Sequence, residues 1–173
     1  MKKYIPNILT TYRLIIAILI PILFFSGIYN ILVLLFITAI LSDAIDGALA
    51  RKWNVTSKYG KIVDIISDKA LAILASLTFA IALNKWFIIT LVLEMVITLI
   101  NGITYIKTKN IDNQHSSMYG KLKTWFLFVA LLLGFLSYKI KILNQLVLPF
   151  IILTAGMQIV TALDYFKNNK NIK

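Results

Sequence analysis

The chain has 173 residues, 60% of them hydrophobic, a formal charge of +11 and no cysteine. That composition excludes an ordinary soluble domain, a disulfide framework and thiolate chemistry, and it points to an integral membrane protein with a single helical domain over residues 1–173. The basic excess fits topology signals and anionic lipid headgroups, not nucleic acid.

Six apolar stretches predict an all-α, polytopic bundle of six transmembrane helices, near residues 8–28, 30–51, 60–83, 85–106, 121–138 and 142–166. The first follows Met1-Lys2-Lys3, a start like a signal peptide's, but residues 21–30 offer no small-residue cleavage site, so it reads as a retained helix. It should end at Ser26-Gly27. The second helix carries Asp43 and Asp46 near its end, and the third opens near Gly60 with Asp64 and Asp68 and stops at Asn84-Lys85. Glu94 and Asn101, seven apart in the fourth, share a face; they read as interhelical hydrogen-bonding groups, or Glu94 orients a basic residue in a substrate pocket. His115 sits among Asn113, Gln114, Ser116 and Ser117 and reads as a solvated loop residue. The fifth helix ends at Lys139-Ile140-Lys141, and the sixth contains Pro149, a candidate kink, ahead of a basic C-terminal run.

Charge predicts the orientation. Lys2, Lys3, Arg13, Arg51, Lys52, Lys58, Lys61 and Lys69, with the lysines of 107–123 and 167–173, gather at one set of helix ends; Lys85, Lys139 and Lys141 lie at the other. The positive-inside rule then puts both termini and the 51–61 and 107–123 loops in the cytoplasm. Trp53, Trp86 and Trp125 near predicted ends suit an interfacial aromatic belt.

Four of the chain's seven acidic residues, Asp43, Asp46, Asp64 and Asp68, fall in one short window of otherwise apolar sequence. A carboxylate near the centre of a membrane helix costs roughly 2.5 kcal/mol or more, and four together repel one another unless positive charge lies between them. Asp43 and Asp46 are three apart; Gly60, Asp64 and Asp68 are spaced by four; each set lies on one helical face. Packing those faces together gathers four carboxylates, an all-oxygen set suited to two Mg²⁺ or Mn²⁺ ions and not to zinc or copper. Gly47, Ala48 and Ala50 keep the neighbouring surface small, and the planar fork of Arg51 suits a diphosphate. These parts fit phosphoryl transfer by direct displacement, with a carboxylate as base, since no Ser-His or Cys-His arrangement offers a covalent nucleophile.

The run Asp43-x2-Asp46-Gly47-x2-Ala50-Arg51-x8-Gly60-x3-Asp64-x3-Asp68 resembles the signature of the CDP-alcohol phosphatidyltransferases at all eight fixed positions. Pro6-Asn7-x2-Thr10-x2-Arg13 resembles the opening found in many members. The resemblance implies a homodimeric membrane enzyme that moves a phosphatidyl group from CDP-diacylglycerol to an alcohol and releases CMP. It implies Asp43, Asp46 and Asp64 as shared metal ligands, and Asp68 as the second metal's ligand and general base. Gly47, Ala50, Arg51 and Gly60 would line the CDP pocket, with Asn7 and Thr10 near it.

Leu41–Asn54, Gly120–Thr124 and Leu163–Phe166 are similar to the bacterial members that use glycerol 3-phosphate, the phosphatidylglycerophosphate synthases. An acceptor phosphate needs cations; Lys58, Lys61, Lys107, Lys121 and Lys123 are the candidates. Those synthases usually carry an Arg-Glu pair and a further Arg on the fourth helix, where this chain reads Leu93-Glu94 and Asn101. Phosphatidylglycerol, as in a cardiolipin synthase, and inositol phosphate therefore stay open as acceptors. A carboxylate-lined ion pathway is the non-enzyme alternative, but it calls for polar residues through the whole membrane depth. Residues 31–37 carry none, and residues 70–82 only Ser76 and Thr78.

Overall fold

A computed structural model describes residues 5–53, 58–108 and 118–170; the side chains of 5–7, 43–44, 46–53, 58–59, 61, 107–108 and 168–170 lie outside the description. The described residues form six α-helices: α1 Ile5–Phe25, α2 Tyr29–Trp53, α3 Lys58–Ala82, α4 Phe87–Thr108, α5 Met118–Ser137 and α6 Asn144–Lys170. A 3-10 turn, Lys141–Leu143, precedes α6. Each helix lies within a few residues of a predicted stretch. His115 and most of the 107–123 loop fall outside the described residues.

Five helices hold stretches long and apolar enough to cross a bilayer: Ile8–Phe25, Ile62–Ala82, Phe87–Ile106, Met118–Ser137 and Lys141–Lys167. For α2 the described side chains are continuous only to Ser42, and the apolar stretch found within them, Tyr29–Ser42, is correspondingly shorter. The structure thus has the makeup of an integral membrane protein, with five such stretches among the described residues where the sequence predicts six. In lipid every backbone group must be satisfied within the chain, which helices do by themselves. Hydroxyls on these helices turn inward in the same way: Thr38, Ser42, Ser67, Thr78, Thr98 and Thr104 each donate to a carbonyl three or four residues back.

Two compact units divide the chain, residues 1–78 and 79–173. In the first, α1 packs on α2. Its buried stripe runs Thr10, Arg13, Ile16, Ala17, Ile20 and Phe24, polar at the start and apolar thereafter, at helical spacing. Leu32, Phe36 and Ala39 of α2 and Leu71, Ala72 and Ala75 of α3 complete the buried apolar set among the unit's described residues, while Ile15, Ile18 and Ile22 face outward. Gly27 at φ +76° ends α1: Ile28 N–H donates to Leu23 O and Gly27 N–H to Phe24 O. That closure needs a left-handed residue, and glycine takes the conformation without a Cβ penalty.

In the second unit α4 and α5 both pack on α6. Phe79 stands edge-on to Phe135 with centroids 4.3 Å apart, and 5.3 Å from Phe87. Gly134 makes room for that cluster, because a Cβ there would lie 3.1 Å from the Phe79 ring. Asn84 caps the turn into α4 by accepting from Trp86 N–H at 3.1 Å.

Candidate active site

Thr10 and Arg13 sit one helical turn apart on the buried stripe of α1, and Asp64 and Asp68 one turn apart on α3. The Nη1 of Arg13 donates to Asp64 Oδ1 at 3.1 Å and also to Asp68 Oδ1. The guanidinium is 1% exposed, whereas the two carboxylate side chains are 44% and 37% exposed. A cation therefore lies sealed behind two acids that remain open on another side. Ser67, between them in sequence, donates to Asp64 O at 2.9 Å and steadies the turn that carries both. Tyr12 Oη and Thr38 Oγ1 meet at 2.9 Å, tying α1 to α2 beside the same stripe.

Asp43 and Asp46 lie on the last turns of α2, together with Gly47, Ala50 and Arg51; their side chains are outside the described residues. The same holds for Asn7, Lys58, Lys61 and Lys107. Of the remaining predicted site residues, Gly60 is half-buried at the start of α3, Thr10 is buried and Lys121 is exposed.

The residues present fit a hard divalent cation. Asp64 and Asp68 offer only oxygen donors, and both already turn one oxygen toward a shared positive group. Among the described residues no set of three or more His, Cys, Asp or Glu gathers; the side chains of Asp43 and Asp46 lie outside them.

The second unit holds another charged cluster. Lys123 Nζ donates to both oxygens of Glu94, at 2.6 and 2.5 Å, and the two side chains are 5% and 2% exposed. Gln158 of α6 donates to Glu94 Oε2 at 3.0 Å and to Thr90 O at 3.1 Å. Glu94 thus makes the interhelical hydrogen bonds anticipated for it and also holds a basic residue, Lys123, one of the five lysine candidates for an acceptor phosphate.

Arg13, grouped by charge with the headgroup-level cations, is instead a buried partner of two aspartates. The signal was its place: it lies inside an apolar run, three residues after Thr10, where an ionisable side chain needs a partner.

The sequence pattern of the CDP-alcohol phosphatidyltransferases matches residues 3–161, so it crosses both units. The chain belongs to that family. It is a transferase. Among its relatives are three enzymes named CDP-diacylglycerol–glycerol-3-phosphate 3-phosphatidyltransferase. The Aquifex aeolicus enzyme is 30% identical over 167 residues, covering 93% of each chain. That of Mycoplasma pneumoniae is 29% identical over 171 residues, 83% of this chain and 74% of the relative. A Cereibacter sphaeroides relative is 37% identical over 99 residues, 54% of this chain and 45% of its own.

Proposed function

We propose that the protein transfers a phosphatidyl group from CDP-diacylglycerol to glycerol 3-phosphate, giving phosphatidylglycerophosphate and CMP. The observation that carries this reading is the pair of half-open carboxylates, Asp64 and Asp68, gathered on one face of α3 within a family signature whose spacing is intact. Relatives that match most of this chain bear the name of that activity, which supports glycerol 3-phosphate as acceptor.

Asp43, Asp46, Asp64 and Asp68 would hold two Mg²⁺ or Mn²⁺ ions, whose contribution when bound is to neutralise the diphosphate. Asp68 takes the proton from an acceptor hydroxyl. The freed oxygen forms a bond to the phosphorus that carries diacylglycerol, the bond from that phosphorus to the bridging oxygen breaks, and CMP leaves with the electron pair. Arg51 grips the nucleotide-side phosphate, while Gly47, Ala50 and Gly60 let the nucleotide approach the backbone, with Asn7 and Thr10 at its edge. Lys58, Lys61, Lys107 and Lys121 meet the acceptor phosphate. Lys123 would join them only by sharing its ammonium with Glu94.

In this reading the chain spans the membrane six times, the polar end of α2 sitting at the interface, with termini and site facing the cytoplasm, and it works as a homodimer among membrane lipids. The positive-inside pattern supports the orientation.

The test is CMP release from CDP-diacylglycerol by the purified protein with glycerol 3-phosphate, phosphatidylglycerol, inositol phosphate or serine. Release that requires glycerol 3-phosphate and stops with EDTA is the expected result. Release driven by phosphatidylglycerol or inositol phosphate instead would reassign the acceptor, and release that ignores EDTA would remove the metals from the reaction.

A further inference from the structure

We infer that Arg13 is a resident counter-cation of the acidic site: it makes the metal-free carboxylates tolerable together, opposes metal loading by its charge while staying in place, and adds to the positive charge that draws in the substrate's diphosphate. This rests on the reading that Asp43, Asp46, Asp64 and Asp68 bind two divalent ions.

The geometry is specific to that role. An arginine cannot lose its proton at accessible pH, so burying its side chain to 1% exposure requires permanent anionic partners. It has them in Asp64 and Asp68, both contacted through Nη1. Because the guanidinium lies behind the carboxylates and they remain half-open, a metal can enter from the open side while Arg13 stays in place. A carboxylate oxygen has lone pairs enough to accept from Arg13 and still bind a cation.

Charge then fixes the signs. Four aspartates and Arg13 sum to −3; two divalent ions bring these groups to +1. Without Arg13 the same groups would run from −4 empty to neutral when loaded. Removing this one charge should therefore tighten metal binding and weaken binding of the diphosphate, which carries two negative charges. A unit charge a few ångströms from a divalent ion in a partly hydrated site is worth about tenfold in affinity or more. Loss of packing or of carboxylate alignment would weaken both affinities together. Only removal of a charge moves them apart.

The experiment measures Mn²⁺ binding by the loss of the free-ion electron paramagnetic resonance signal, and binding of CDP at saturating Mn²⁺ by equilibrium dialysis, on detergent-purified wild type, Arg13→Gln and Arg13→Lys. Arg13→Gln should bind Mn²⁺ about tenfold more tightly and CDP about tenfold more weakly, whereas Arg13→Lys, which keeps the charge, should stay within about threefold of wild type in both. Shifts of the glutamine variant in the same direction, or no shift, overturn the proposal. Should that variant fail to fold, Arg13→Met takes its place under the same criteria, and a tenfold departure of Arg13→Lys in either constant overturns the proposal. A wild type that binds no Mn²⁺ brings down the metal reading and this proposal with it; wild-type binding without opposed shifts brings down this one alone.

Discussion

Each unit of the protein buries a cation against an acid, and the two clusters are built to opposite ends. In residues 79–173, Lys123 and Glu94 are both almost wholly buried, and the amide of Gln158 adds a third helix to the knot. In residues 1–78, Arg13 is equally buried but its two acids are not, and further aspartates precede them on α2. A sealed pair is saturated by its own chain. A cation set behind open carboxylates leaves those acids able to bind something from outside. Burial of both partners suits a structural lock, and burial of only one leaves acids that suit the proposed site.

The contrast is sharpest for the acids. Asp68→Asn keeps the shape and removes the group proposed as base and metal ligand. Turnover should fall at least about a thousandfold, in line with loss of a unit that acts together in catalysis, while the thermal unfolding midpoint in detergent drops less than for loss of a sole charge partner, because Asp64 still faces Arg13. A large drop in stability with residual activity would make Asp68 a structural residue. Glu94→Gln should do the reverse. Leaving Lys123 buried without its charge partner should cost about 3–5 kcal/mol of stability, seen as an early thermal transition. The double variant Glu94→Gln with Lys123→Met should recover much of that loss; if it does not, the pair is more than a lock.

Smaller effects test the packing around each cluster. Gly134→Val pushes branched carbon into the Phe79 and Phe87 rings, and overpacking of that kind costs about 1–3 kcal/mol. It should lower the unfolding midpoint and leave the KM for CDP-diacylglycerol unchanged. Tyr12→Phe removes one hydroxyl contact between α1 and α2, worth about 0.6 kcal/mol on the scale of membrane-protein hydrogen bonds. A loss of activity far beyond that stability change would place the Tyr12–Thr38 contact in the reaction rather than in the frame.

The helices were legible because apolar runs and their punctuation are local signals. Gly27 and Asn84 end or start helices where the sequence says they should. Helix ends were less legible: α1 begins at Ile5 and α6 continues to Lys170, beyond the hydropathic limits at 8 and 166, since hydropathy reports the depth of lipid and the backbone ladder continues past it. The carboxylate spacing announced Asp64 and Asp68 as one face, because i, i+4 is a property of the helix alone. The partner of those acids was not announced. Arg13 reaches them across 51 and 55 residues of sequence, and charge counting cannot separate a cation at a helix end from one a turn or two inside. Glu94 was legible as a group needing a partner; that Lys123 would be the partner depended on how α4 and α5 pair.

The reach of Arg13 also constrains how the protein is made. The first helix leaves the ribosome well before the third, so Arg13 must wait for 51 more residues before Asp64 exists. Held alone a turn or two inside a membrane helix, it would oppose insertion, by at most the roughly 2.5–3.5 kcal/mol of a helix-centre arginine. Final seating of the N-terminal segment is thereby coupled to arrival of the later one, which gives biogenesis an order that the finished bundle no longer displays.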